Sequence, residues 1–245
     1  MIREAVSRLW HPPRVAFPDI DTPDAVLAFI ESRTLEHPSR LEDEFVKHAL
    51  SLGVESGMAL DVGTRVGLVL LKLLWQNENF YAIGMDSSGL MIERARETAT
   101  AWELGERAFF QVGDARRMRF KTGYFDLVIS DSTLHRFDDS VAVLREIHRV
   151  LKPKGALLVR DLLRPHRLGM ASRIAHYSSQ YGAAMGPQLT TAIRAAYTKP
   201  EIEHALRESG LPGAAVTEPD ADHFLIARRG ETDPGSWVTA REQYR

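Results

Sequence analysis

From residue 58 onward, short apolar runs alternate with longer stretches in which apolar side chains recur every three or four positions. A run of four to eight apolar residues fits a strand buried on both faces, and the 3.6-residue period fits a helix packing one face. Strands are therefore expected at 58–62, 80–85, 108–112, 125–130 and 156–161, with helices at 66–74, 89–104 and 140–151. The turn Lys152-Pro153-Lys154-Gly155 announces the fifth strand, and Thr198-Lys199-Pro200-Glu201 starts a further helix that stops at Gly210. Two closing strands follow at 214–218 and 224–227, separated by Pro219-Asp220-Ala221-Asp222. Strands alternating with helices predict an α/β fold. The sheet is doubly wound, mostly parallel, covered by helices on both faces and closed by an antiparallel strand.

Two stretches stand outside this rhythm. Residues 1–20 hold Pro12, Pro13 and Pro18 and read as an irregular arm. Thr22 and Pro23 then suit an N-cap and first helical position, with Val26, Leu27, Phe29 and Ile30 at helical spacing before Pro38 closes the helix. Leu41, Phe45, Val46, Ala49, Leu50 and Leu52 give a second helix before Gly53. Residues 162–197 carry tyrosines, histidines and arginines with few consecutive aliphatics, and read as an inserted helical segment. The expected division is an arm and helices over 1–57, a sheet domain over 58–229 holding the 162–197 insert, and a polar tail over 230–245. The insert and the N-terminal helices are expected to form a lid.

Composition narrows the function more than the fold. The 245 residues contain no cysteine, which excludes disulfides, thiolate zinc sites and a cysteine nucleophile. The formal net charge of -2 gives no support to nucleic acid or an anionic membrane as partner. No apolar run has the length of a signal peptide or a membrane span, so a cytoplasmic location is the default expectation, and a homo-oligomer is left open. The histidines show no His-x-x-x-His spacing, and no metal is expected.

Candidate chemistry collects at the carboxyl ends of the predicted strands, the edge where open α/β sheets bind ligands. In Leu60-Asp61-Val62-Gly63-Thr64-Arg65-Val66-Gly67 a strand meets a tight turn and a helix. Gly63 allows close backbone approach of a ligand and Gly67 close helix packing, while the helix N-terminus suits a carboxylate and Asp61 a cationic group. Asp86 ends the second strand, 23 residues after Gly63, where a carboxylate accepts both hydroxyls of a ribose; with Ser87, Ser88 and Gly89 following, it suits a helix cap equally. Gly113-Asp114-Ala115 follows the third strand and places a short carboxylate for an exocyclic amine, or forms an ordinary turn.

With these motifs, Ala82-Ile83-Gly84-Met85-Asp86, Phe125-Asp126-Leu127-Val128-Ile129-Ser130 and Leu144-Arg145-Glu146-Ile147-His148-Arg149-Val150-Leu151-Lys152-Pro153, the chain resembles class I S-adenosylmethionine (SAM) dependent methyltransferases of the small-molecule kind. The match runs over about 58–161, with a weaker echo to 227. The resemblance implies a Rossmann-like sheet and SAM as cofactor, with S-adenosylhomocysteine as product. It places Asp61 and Gly63 at the methionyl part, Asp86 at the ribose and Asp114 at the adenine amine, with Thr64, Gly67, Ser87, Gly113 and Ala115 among the cofactor-binding residues. Met91 falls near ribose and adenine, and Ser130 where backbone meets the methionyl ammonium. Two positions depart from the family's glycines: Lys154, in a turn away from the cofactor, and Arg65, inside the cofactor loop. Arg65 is expected to point to solvent; the alternatives are altered cofactor choice, toward a SAM variant bearing an added acidic group, or a degenerate site.

Methyl transfer from a sulfonium needs alignment and exclusion of water, and a base only where the acceptor must lose a proton. His135, in Ser132-Thr133-Leu134-His135-Arg136-Phe137 after the fourth strand, is the candidate base or a structural loop histidine. Arg136, Arg160 and Arg164 lean toward an anionic acceptor, although an internal pair of Arg160 with Asp161 explains that cluster equally. Tyr177 and Tyr181 share a helix face and either line an acceptor pocket or pack the insert onto the sheet. The leading expectation is methyl transfer to a small-molecule acceptor. The alternatives are a non-methylating enzyme using SAM or S-adenosylhomocysteine for elimination, hydrolysis or decarboxylation, and a catalytically silent binding subunit.

Overall fold

Strand β1 (Gly57–Val62) is buried along its whole length, which is why its apolar run is continuous rather than alternating. In the computed structural model, which describes residues 10–18, 21–33 and 35–231, β1 pairs in parallel with β2 (Phe80–Asp86) on one side and β4 (Phe125–Asp131) on the other. With β3 (Ala108–Val112), β5 (Leu151–Leu162), β6 (Ala215–Thr217) and β7 (His223–Arg228) it forms a seven-stranded sheet in the order β3-β2-β1-β4-β5-β7-β6. Only β7 runs against its neighbours: it pairs antiparallel with both β5 and β6. The expected α/β, mostly parallel, Rossmann-like sheet with an antiparallel closing strand is the fold observed.

Pleating sends alternate residues of β1 to opposite layers. Met58, Leu60 and Val62 join α5 (Ser140–Val150) and α8 (Lys199–Ser209) through Val143, Leu144, Ile147, Ile202 and Leu206. Ala59 faces α2 (Glu36–Leu50), α3 (Leu68–Gln76) and α4 (Gly89–Ala101) through Phe45, Leu70, Leu74 and Ile92. A third apolar cluster lies over the carboxyl ends of the strands. There α1 (Pro23–Arg33), α6 (Met170–Tyr181) and α7 (Gly186–Ala195) bring Phe29, Tyr177, Tyr181 and Leu189 against Val66, Met91 and Leu162. The 162–197 insert is thus helical as expected.

Several boundaries move for identifiable reasons. Gly67 sits at φ +80° as the residue before α3, so that helix starts at Leu68 and not at 66. Pro38 does not close the first helix; it occupies the first turn of α2, where its missing N–H removes no intrahelical bond. The turn expected at 152–155 lies within β5, whose pairing with β4 is irregular between Phe125 and Leu127. The expected cap holds, with Thr22 Oγ1 accepting from the Ala25 N–H at 3.3 Å; at the start of α8, Glu201 Oε2 accepts from the Thr198 N–H at 2.8 Å. Residues 1–9 of the expected arm, and the expected tail from 232 on, lie outside the described residues. Among the described residues no helix is long and apolar enough to cross a membrane.

The tips of β4 and β5 are joined by a buried ion pair. Arg160 Nε and Nη2 donate to the two carboxylate oxygens of Asp131 at 2.9 and 3.0 Å, and Nη1 donates to the Leu41 carbonyl of α2. Burial alone would push Asp131 up, but Arg160 beside it holds the carboxyl well below the usual carboxylate range. Such a depressed group contributes stability above its ordinary pKa, and the contribution fades as pH falls below about 4. Arg160→Ala strands the buried carboxylate and is expected to lower unfolding free energy by about 3 kcal/mol. Urea melts at neutral pH check this. The deficit relative to wild type should shrink in acid.

Candidate functional site

A cavity of about 550 Å³ opens at the carboxyl ends of β1, β2 and β3, inside the roughly 300–1,000 Å³ range of small-ligand sites. Gly63, Met85, Asp86, Ser87, Gly113, Asp114 and Ala115 line it, so the three strand-end motifs of the sequence meet in one place. The Asp86 carboxylate is fixed by two backbone donors, Arg65 N–H to Oδ2 at 2.9 Å and Ser88 N–H to Oδ1 at 3.0 Å. Each oxygen keeps a lone pair for a ligand hydroxyl. Ser88, not Asp86, caps α4: its hydroxyl accepts from Met91 N–H at 3.0 Å. Asp114 is exposed and paired with Arg116, Nη2 to Oδ2 at 2.9 Å, and the hydrogen bonds from Arg116 hold its carboxyl below the ordinary value. A ligand amine would share that carboxylate with Arg116. Gly63, at φ +78°, is required by the fold itself, since a Cβ there would stand 2.2 Å from Thr133 Cγ2.

Asp61 and Thr64 do not line this cavity. They border a pocket of about 10 Å³ next to it, together with Glu42 and Asp131; Gly63 and Arg65 belong to both walls. Burial pushes the Asp61 carboxyl up to about 7, against the opposing pull of the Arg65 charge. A buried carboxylate poised near neutrality is suited to receive a cation. Arg65 does not point to solvent. It adopts φ +52°, its Nη2 donates to the Asp131 carbonyl, and its guanidinium lies 4.9 Å from the Phe29 ring centroid. The buried Ser130 hydroxyl donates to the Val62 carbonyl at 2.8 Å, which leaves only its backbone for a ligand. Gly67 serves packing, as a Cβ would meet the Phe110 ring at 2.9 Å.

A second cavity, of about 80 Å³, lies beneath α1, α6 and α7 and shares Phe17, Arg65 and Arg136 with the first. His135, Tyr177, Tyr181, Leu189 and Met91 line it. His135 is held in a short helical turn, and its Nδ1 lies 2.7 Å from Asp161 Oδ1. Asp161 has no solvent exposure. It also accepts the His135 N–H at 2.8 Å and the Leu162 N–H at 2.7 Å. A carboxylate receiving that set is acceptor only, which assigns the imidazole proton to Nδ1 and leaves Nε2 as the basic nitrogen.

The arm residue Phe17 packs edge-on to His135, ring centroids 5.3 Å apart, and Arg136 lies 4.8 Å from the Phe17 centroid. Arg160 and Arg164 do not reach either cavity. Arg160 is spent on Asp131, and Arg164 donates to the Ala196 carbonyl at 2.8 Å and to Glu201 at 2.6 Å. The cationic wall comes from Arg136, as expected, together with Arg33 and Arg65, which were not expected as lining groups. A signal existed for Arg33: Ala25, Phe29 and Arg33 follow one another at intervals of four along α1 and share one face. Among the described residues no cluster of His, Asp and Glu suits a metal ion.

Residues 60–159 match the model of a methyltransferase domain. The chain is 29% identical over 217 residues to 27-O-demethylrifamycin SV methyltransferase of Amycolatopsis mediterranei, covering 87% of this chain and 71% of that protein. It is 34% identical over 125 residues to the demethylmenaquinone methyltransferase of Thermotoga maritima, covering 51% of this chain and 52% of that one. In fold it is similar to a SAM-dependent methyltransferase of Aquifex aeolicus, with TM-score 0.61, 21% identity, and coverage of 81% of this chain and 96% of that one. Over residues 60–159, which hold the strand-tip cavity and the buried Asp61 carboxylate beside it, the chain is similar to a methyltransferase domain, and its fold is that of a SAM-dependent methyltransferase.

Proposed function

We propose that the chain methylates a hydroxyl oxygen of a small, largely apolar acceptor, with His135 as general base. The observation that carries this reading is the fully buried Asp161 carboxylate 2.7 Å from His135 Nδ1, at the wall of the cavity adjoining the cofactor site. Asp86 and Ser87 would hold the ribose, Gly113, Asp114 and Ala115 the adenine, and Asp61 the methionyl ammonium. SAM bound there supplies a methyl group on a sulfonium, displaced in line so that the S–C bond breaks as the O–C bond forms.

Each remaining task falls to this chain. His135 Nε2 takes the acceptor's hydroxyl proton, and Asp161 stabilises the imidazolium that forms. Arg33, Arg65 and Arg136 line the same cavity, and their positive field favours the oxygen as it becomes anionic. That places the anionic character on the reacting oxygen rather than on a carboxylate gripped by Arg160 or Arg164. Phe17, Phe29, Leu162 and Leu189 supply apolar walls that exclude water. A cavity of about 80 Å³ is smaller than the roughly 300 Å³ of ordinary ligand pockets, so α1, α6 and α7 act as a lid that opens to admit the acceptor. The similarity to 27-O-demethylrifamycin SV methyltransferase supports an oxygen acceptor.

Transfer of labelled methyl from SAM to hydroxylated acceptors tests the reading directly; turnover without consumption of SAM would reject it. Asp86→Ala is expected to weaken SAM binding at least tenfold by calorimetry, because two charge-assisted hydrogen bonds are lost. His135→Ala is expected to lower kcat by about 10²–10⁴ while leaving the SAM dissociation constant nearly unchanged. Asp61 gives a pH signature. With its carboxyl at about 7 in the free protein and ionised against the ammonium, SAM affinity should rise with pH through 7 and proton release should accompany binding. Asp61→Asn should abolish both, as measured by calorimetry in buffers of different ionisation enthalpy.

A further inference from the structure

The acceptor cavity carries a second carboxylate–imidazole pair that the methyl-transfer step does not use. His223 opens β7 opposite Leu162, the last residue of β5, and lines the cavity together with Tyr177. Its Nδ1 lies 3.1 and 3.0 Å from the two oxygens of Asp220, and its Nε2 lies 3.2 Å from the Tyr177 hydroxyl. His223 and Tyr177 are both buried, and Tyr177 stacks on Tyr181 with ring centroids 5.8 Å apart and planes 13° from parallel.

The protonation pattern follows from Asp220. It also accepts the backbone N–H groups of Asp222 and His223, at 2.7 and 2.8 Å. Partial burial raises its carboxyl, but His223 and these donors outweigh it and hold the group at about 2. An ionised Asp220 keeps the proton on Nδ1 of His223, so Nε2 accepts the Tyr177 hydroxyl hydrogen. The phenol oxygen is then committed as a donor to His223 and offers its lone pairs as an acceptor. Arg173, paired with Asp222, closes the loop on the solvent side. Such a chain of three groups is far more than packing an insert requires, because a phenylalanine would fill the same space without burying polar atoms.

We propose that Tyr177, positioned by His223 and Asp220, is a specificity-determining residue that accepts a hydrogen bond from a second hydroxyl of the acceptor, so that the substrate class is a flat or compact polyhydroxylated molecule. The inference rests on the acceptor cavity of the proposed function, but not on the identity of the base. One end of the acceptor presents the oxygen to be methylated to His135, and the other is registered on Tyr177. An acceptor with one hydroxyl lacks the second anchor and binds in several orientations. A site built to hydrogen-bond a hydroxyl discriminates strongly against an analogue lacking it.

The test uses the full chain saturated with S-adenosylhomocysteine, and reads binding of a monohydroxynaphthalene and of the dihydroxynaphthalene isomers by calorimetry. Wild type should bind at least one diol tenfold or more tightly than the monohydroxy compound. Tyr177→Phe and His223→Leu should reduce that preference to within about twofold without weakening the monohydroxy compound. His223→Gln, whose amide oxygen still accepts from the phenol, should keep most of it. Equal binding of diols and monohydroxy compound by wild type, or a preference untouched by Tyr177→Phe, overturns this inference alone. Binding of no naphthol at all overturns it together with the acceptor cavity, whereas loss of methyl transfer in His135→Ala with the diol preference intact leaves it standing.

Discussion

The arrangement depends on one carboxylate kept out of water. Asp161 ends the central part of β5 with no solvent exposure, and it accepts from its own strand's next amide and from both the backbone and the side chain of His135. Leaving such a group without these donors would cost several kcal/mol. Its presence therefore fixes the turn after β4, the ring orientation and the tautomer at once. A histidine on an ordinary surface loop would sample rotamers and both tautomers. Here the orientation of the ring is a by-product of satisfying a buried carboxylate.

The same logic governs the neighbouring charges, with different outcomes. Asp131 is buried against Arg160 and stays ionised; Asp61 is buried without a matched cation of its own and rises to about 7. Arg65 stands between them, bonded to the Asp131 carbonyl and lying on Phe29. Its side chain belongs to the wall shared by the two cavities. An arginine in that wall presents one guanidinium to both cavities.

Much of this was legible beforehand. Strand tips announce themselves through runs such as 58–62 and 80–85, and because parallel sheets bind at one edge, Gly63, Asp86 and Asp114 could be grouped before any coordinates. His135 was legible for the same reason. Side-chain direction was not. Whether Arg65 pointed outward, or whether Arg160 and Arg164 gripped a ligand, depended on Asp131, Glu201 and the Ala196 carbonyl, partners distant in sequence. The Tyr177–His223 contact bridges 46 positions across the insert and the antiparallel strand, and periodicity carries no trace of it. Phe17 lies in an arm without regular spacing, yet it walls both cavities.

The central claim is that Asp161 makes His135 a base by fixing its proton on Nδ1. Asp161→Asn tests it most directly, since the amide keeps the shape, removes the charge that stabilises the imidazolium, and in either orientation opposes its own N–H to a donor that the carboxylate accepted. Single-turnover transfer of labelled methyl to a hydroxylated acceptor should fall by about 10²–10⁴, with SAM affinity close to wild type. Transfer within a few-fold of wild type would contradict the account.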